Sequence, residues 1–215
     1  MSLEHVYWIG GGSGGGKSTV ARRLAADHGL RLYATDDVMA DHASRTTAAE
    51  SPYLAQFQAM DLDQRWLTRS PETMLATFHW YRGEAFGLIE DDLRAEAGKV
   101  VAEGFRLLPH LVRPLLPDVR RAVWLLPTPG FRRSALEQRG SLWSIASRTS
   151  DPPRALENLL ARDAMFTERV RAEATGLGLR VIEVDGTATQ NELVAEVASW
   201  FGFAGGDRAD VDWAV

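Results

Sequence analysis

Six of the chain's nineteen glycines fall between Gly10 and Gly16, wedged between a short apolar run and a helix-forming stretch. The run, His5-Val6-Tyr7-Trp8-Ile9, is β-branched and aromatic and reads as a buried strand. Behind the glycines, Ser18 to His28 reads as a helix, with Val20, Ala21, Leu24 and Ala25 on one face and Gly29 as its stop. A strand running through a glycine turn into a helix is the opening of an α/β unit. The segment Gly11-Gly12-Ser13-Gly14-Gly15-Gly16-Lys17-Ser18 also fits G-x-x-x-x-G-K-S/T, a pattern expected by accident roughly 0.002 times in a chain of this composition. The chemistry explains the spacing. Glycines allow positive φ, so successive N–H groups turn inward onto a phosphate. Lys17 reaches the outer phosphates, the Ser18 hydroxyl ligates Mg²⁺, and the helix start adds its positive dipole end near Thr19. The plainer reading, a flexible loop with a chance lysine, does not explain why the pattern sits between a strand and a helix.

Composition narrows the rest. With 215 residues and 23.7 kDa, the chain is long enough for one compact domain with its own core. The absence of cysteine removes disulfides, thiolate-bound metals and thiol nucleophiles. Twenty-four basic against twenty-nine acidic residues give a net charge of −5, which disfavours an extended nucleic-acid surface. No stretch approaches the ~20 apolar residues of a membrane span and no signal-peptide core is visible, so a soluble cytoplasmic protein is expected. Lys17 and Lys99 are the only lysines among many arginines, so a lysine carries more meaning here than an arginine.

Further strands are expected at Leu30 to Ala34, Lys99 to Ala102, Ala122 to Leu126 and Arg180 to Val184. Residues 38–97 read as helical; the best-defined piece opens at Ser70-Pro71-Glu72 and runs through Met74, Phe78, Tyr81, Ala85, Ile89 and Leu93 to Gly98. A helix from Asp151-Pro152-Pro153 to about Thr175 places Arg154, Asn158 and Arg162 on one polar stripe. A final helix opens with a capping box, Thr189 to Glu192. Strands alternating with helices predict an α/β fold with a mainly parallel sheet, in one domain over residues 1–201 with a loose tail at 202–215. The insertions at 38–97 and 128–165 follow strands two and four, where ligand-contacting loops of such sheets belong.

These parts resemble the P-loop small-molecule and nucleoside kinases, such as uridine kinase, nicotinamide riboside kinase, chloramphenicol phosphotransferase and the shikimate and gluconate kinases. The resemblance rests on the glycine loop, Thr35-Asp36-Asp37, Val101-Ala102-Glu103-Gly104, the arginines after strand four and Asp185-Gly186-Thr187, in that order over residues 5–201. It implies a three-layer fold with a five-stranded parallel sheet of order 2-3-1-4-5. It also implies a helical acceptor-binding insertion at 38–97, an Arg-bearing lid, and ATP with Mg²⁺. The activity it implies is phosphoryl transfer to a hydroxyl of a metabolite, nucleoside or antibiotic.

The resemblance puts the acceptor base at Asp36; the plainer reading is an N-cap for the helix beginning at Val38. Asp37 and Glu103, at strand ends, are candidate metal ligands beside Ser18, and Glu103 also faces the acceptor. Arg106, Arg65 and Trp66 are candidate acceptor contacts, and Trp80 is a second aromatic candidate. Arg132, Arg133 and Arg139 are the leading lid arginines, since transfer spreads charge that a closing lid must neutralise. Asp185, Gly186 and Thr187 form either a loop against the base of the nucleotide or a turn before the capped helix. The five histidines show no metal-ligand spacing. Two rivals share the glycine loop. A nucleoside monophosphate kinase would clamp its acceptor with Arg45, Arg65, Arg69 or Arg106, and a regulatory switch would bind ATP without an acceptor. Oligomeric state is left as monomer or homodimer, with Trp200, Phe201 and Trp213 as an apolar surface for the second.

Overall fold

A computed structural model describes residues 3–132 and 141–203. Five strands are formed: β1 (Val6–Gly10), β2 (Arg31–Ala34), β3 (Val100–Glu103), β4 (Ala122–Pro127) and β5 (Arg180–Val184). All neighbours pair in parallel, in the order β2-β3-β1-β4-β5. Every residue of β1, β3 and β4 is buried, which is why these segments read as unbroken apolar runs rather than alternating ones.

Two layers of helix cover the sheet. On one face α1 (Lys17–His28) lies beside a C-terminal helix, Gln190–Trp200, and Val20, Leu24, Leu193 and Val197 close over Ile9, Val101 and Leu125. Gly29, in the left-handed region, ends α1, and its N–H returns to the Ala25 carbonyl. The C-terminal helix opens with the expected capping box between Thr189 and Glu192. On the opposite face Trp8, Trp124, Leu107 and Leu126 pack beneath Ile89, Leu93, Phe166 and Val170. The last two belong to a 25-residue helix, Pro152–Gly176.

The helical segment between β2 and β3 departs from expectation. It comprises α2 (Met39–Arg45), α3 (Pro52–Ala59), α4 (Leu62–Trp66), α5 (Pro71–Thr77), a 3₁₀ turn (His79–Arg82) and α6 (Phe86–Ala95). The single helix predicted from Ser70 to Gly98 is therefore broken in two places. Phe78 turns extended after α5, and Gly83 and Ala85 both take positive φ. The break has a tertiary cause: Glu84, held between those two residues, accepts the backbone N–H groups of Tyr53 and Leu54 and caps the start of α3. After β3 come α7 (Pro109–Val112), β4, α8 (Ser141–Ala146) and α9 (Pro152–Gly176), with α10 (Gln190–Trp200) last.

Two residues of the surface offered for a second copy, Trp200 and Phe201, make contacts within the chain. Phe201 is buried in the core and the Trp200 indole donates to the Ala122 carbonyl. Phe203 packs on Tyr7 and His28. Trp213 and the rest of the proposed tail from 204 onward lie outside the described residues. Among the described residues no helix is long and apolar enough to cross a membrane.

Candidate functional site

The glycine loop sits at the carboxyl end of β1, in the middle of the sheet. Gly11, Gly14 and Gly16 take positive φ, as an inward-facing loop requires. Gly11 is fixed by contact as well as conformation: a Cβ there would stand 2.1 Å from the Leu125 carbonyl oxygen of β4. Gly12 would meet the Thr167 hydroxyl on α9. The loop is thus pressed between β4 and α9. The Lys17 ammonium donates to the Gly12 carbonyl at 2.8 Å, curling back over the loop.

Three carboxylates come to this end of the sheet. Register places Glu103 beside Ile9 on one side and Ala34 on the other. Glu103 is 5% exposed, and its side chain is hydrogen-bonded to Ser18. Burial raises its pKa, against the pull of Lys17 and of the Ser18 bond. Asp36, just past β2, is open to the cleft. Desolvation of its carboxyl still raises its pKa, Lys17 opposes this and Asp37 reinforces it. Asp37 itself is exposed. The donors Ser18, Glu103 and Asp36 are hard oxygens of the kind Mg²⁺ takes together with phosphates and water. No cluster of three His, Cys, Asp or Glu side chains makes a separate metal cage among the described residues. The donor set therefore suits Mg²⁺ held jointly with a nucleotide.

On the α1–α10 side, a cavity of about 270 Å³ is lined by Gly14, Gly16, Thr19, Phe131, Thr189 and Gln190 among others. Asp185, Gly186 and Thr187 border this region but form the turn: Asp185 accepts from both the backbone N–H and the hydroxyl of Thr187. A Cβ at Gly186 would strike the Phe131 ring, so the turn touches the cavity wall through that residue.

On the other side of the loop, a cavity of about 280 Å³ reaches from Ser13 and Met39 into the helical segment. Its walls are Phe57, Trp66, Phe78, Trp80, Tyr81 and Phe105, closed by Leu142 and Ile145 of α8. Trp66 and Trp80 are thus both brought to a cavity. Phe78, one of the residues at helical spacing after Ser70, serves both core and cavity wall. Arg162 and Asp163 of α9 complete the lining. Arg162 donates from Nε and Nη2 to Asp163 Oδ1 at 3.0 and 2.7 Å, and Tyr81 donates its hydroxyl to the same oxygen at 3.1 Å. Burial works against the Arg162 charge, but Tyr81 and Asp163 outweigh it and its pKa is raised. The stripe of Arg154, Asn158 and Arg162 is therefore not a uniform solvent face. Arg162 is buried, and Asn158 donates to the Leu67 carbonyl.

The remaining arginines divide. Arg132 is buried, with Asp163 and Glu168 close enough to offset part of the desolvation that lowers its pKa. Arg133 and Arg139 lie outside the described residues. Arg65 donates to the Phe57 and Gln58 carbonyls and closes the end of α3. Arg69 donates to the Gln64 and Arg65 carbonyls and to Thr77. Arg45 pairs with Asp41 and Asp92. Arg106 is wholly internal: it stacks on Trp80 at 4.0 Å and donates to His42 Nδ1 at 3.0 Å. His42 in turn donates from Nε2 to Asp92, which also takes the Tyr33 hydroxyl. Burial lowers the Arg106 pKa to about 10.

Sequence reasoning gave His79, Asp163 and the His42–Asp92 pair no role. His79 is a lone polar residue between aromatic ones, whereas Asp92, Asp163 and His42 sit beside other charged residues and do not stand out; only the packing brings His42 to Asp92 and sets His79 and Asp163 in one cavity lining.

No family model matches this chain, and no curated protein matches it. Among solved structures, an uncharacterized protein from Eubacterium ventriosum aligns at 14% identity and TM-score 0.47, over 92% of this chain and 98% of that one. Shikimate kinase from Acinetobacter baumannii in complex with shikimate aligns at 15% and 0.46, over 94% of each chain. YorR protein from Bacillus subtilis in complex with phosphorylated GDP aligns at 12% and 0.45, over 92% and 96%.

Proposed function

We propose that this protein transfers the γ-phosphoryl group of ATP to a hydroxyl of a small molecule. The observation that carries the reading is the convergence of Lys17, Ser18, Glu103 and Asp36 at one end of the sheet, between two separate cavities. A phosphoryl transfer needs a nucleotide on one side, an acceptor on the other and charge control between them. Loop N–H groups cradle the phosphates, and Lys17 leaves the Gly12 carbonyl to meet the charge on the transferring group. Ser18 and Glu103 would hold Mg²⁺, which when bound neutralises charge between the outer phosphates. Asp36 takes the proton of the acceptor hydroxyl, and its raised pKa brings it nearer to a working base. Arg132 is the lid arginine that the described residues offer for this charge.

A hydroxyl acceptor is favoured over a phosphate. A monophosphate needs free cationic clamps, and Arg45, Arg65, Arg69 and Arg106 are each already bound to protein carbonyls, carboxylates or a histidine. The test is incubation with γ-labelled ATP, Mg²⁺ and a pooled library of hydroxyl-bearing metabolites, nucleosides and antibiotics, beside Lys17→Ala. Label on one small molecule, absent with the variant, is the expected result. Label found only as free phosphate, or only as nucleoside diphosphate once nucleoside monophosphates are added to the pool, sinks the reading.

A further inference from the structure

We propose that the aromatic cavity beside Ser13 binds a planar, unsaturated molecule carrying a carbonyl or carboxylate oxygen, and that Arg162 takes that oxygen. Only the fate of this molecule, as phosphoryl acceptor, rests on the function proposed above; its binding does not.

Shape and chemistry both point this way. The wall rings pack edge-on or tilted to one another: Phe57 against Trp66 at 5.2 Å, Phe57 against Phe78 at 5.5 Å and Phe78 against Tyr81 at 4.8 Å. Such walls present ring faces and edges that suit another flat ring, whereas a polyol would leave its hydroxyls unpaired against them. The volume, about 280 Å³, exceeds the ~150 Å³ of a cavity that holds benzene, leaving room for substituents on one ring.

The polar groups are sparse and specific. Arg162 has its guanidinium carbon 5.2–5.4 Å from the centres of Trp66, Phe78 and Tyr81. Its Nε and Nη2 go to Asp163, but Nη1 is buried with no hydrogen-bond partner among the described residues. Guanidinium nitrogens only donate, so the missing partner is an acceptor oxygen. The cavity has a second such atom, Nδ1 of His79, on the 3₁₀ turn. Two unpaired buried nitrogens in the lining of one aromatic cavity are accounted for together by one substituted ring. Ser13 of the loop and Met39, three residues past Asp36, mark the end at which an acceptor hydroxyl would emerge.

The test uses four probes without nucleotide, bound to the full chain and followed by ligand-observed NMR: para-hydroxymethylbenzoate, its benzamide, para-methylbenzyl alcohol, and the saturated cyclohexane analogue of the benzoate. The benzoate or the benzamide should bind about tenfold more tightly than both the methyl and the saturated probes. Which of the two is tighter tells a carboxylate from a carbonyl. In Arg162→Lys the preference over the methyl probe should shrink while the preference over the saturated one stays; Trp66→Leu should do the reverse. These are ratios within one variant, so a partly unfolded sample does not move them. Trp143→Leu, at an exposed position, should change neither. Equal binding of planar and saturated probes, or no binding of either planar oxygen-bearing probe, overturns the proposal. With γ-labelled ATP added, a planar probe that binds but takes no label overturns the cavity ligand's role as acceptor and leaves its binding standing. Label on the saturated probe in preference to the planar ones overturns the cavity proposal alone.

Discussion

The two sides of the candidate site are built differently. The glycine loop is one contiguous stretch whose contacts come from its own backbone, and its neighbours, the Leu125 carbonyl and Thr167, mainly forbid side chains. The aromatic cavity takes side chains from α3, α4, the 3₁₀ turn, the segment after β3, α8 and α9. A phosphate group is common to all nucleotides and is recognised by N–H groups that any glycine run supplies. An acceptor is particular, and a particular shape is assembled from distant residues. Two of the buried arginines, Arg106 and Arg162, repeat the lesson on a smaller scale. Both lie against rings, but Arg106 meets a histidine and a carbonyl, and burial lowers its pKa to about 10. Arg162 touches a carboxylate, which holds its pKa up.

The difference between the two sides can be broken from either. Lys17→Ala should reduce transfer about a thousandfold or more, because the loop then lacks its mobile charge. Single-turnover rates with labelled ATP read this directly. Asp36→Asn should lower turnover about a hundredfold or more while ATP affinity, measured by calorimetry, stays within about twofold. Equal turnover in that variant would remove Asp36 from the chemistry and leave the loop and lid to act alone.

On the cavity side the expected signature is one of stability. His79 is 2% exposed, and burial, with Arg106 and Arg65 adding to it, lowers its pKa to about 3. The folded state therefore binds fewer protons than the unfolded chain between about pH 6.5 and 3. His79 stays neutral above that window, and stability should fall as pH drops through it, by up to about 1.4 kcal/mol per pH unit. In His79→Phe the melting temperature should vary less between pH 7 and 5 than in the parent. An unchanged slope would show that His79 is protonated in the fold. The smallest effect belongs to Arg65→Ala: turnover should change by less than about twofold, with about 1 kcal/mol lost from the end of α3. A large loss of turnover with intact folding would instead make Arg65 an acceptor clamp and revive the monophosphate reading.

Much of the frame was legible because it is local. Five apolar runs ending in glycine, proline or a carboxylate marked the strands, and Thr189 with Glu192 marked the last helix. The order of the strands came from the resemblance to P-loop kinases and not from any periodicity, since pairing is non-local. The 70–98 stretch shows where periodicity fails: Phe78, Tyr81, Ala85 and Ile89 keep helical spacing, yet Glu84 is drawn off to cap α3 and the helix breaks around it. The contacts of Arg65 and Arg106 were hidden for a related reason. A sequence shows that a cation is present but not that backbone carbonyls or a buried histidine already hold it.

What this chain's sequence determined by itself is the glycine loop, because eight consecutive residues carry its conformation and the groups offered for its proposed chemistry. It also determined the strand ends that carry Asp36 and Glu103. Tertiary structure alone decided which aromatic residues face a cavity rather than a core, and that Arg162 lies among them with Nη1 unpaired among the described residues. The physical reason is range. Backbone N–H groups of neighbouring residues converge through local φ and ψ, whereas the Phe57, Trp66, Phe105 and Arg162 side chains converge only once the sheet and its helices have packed.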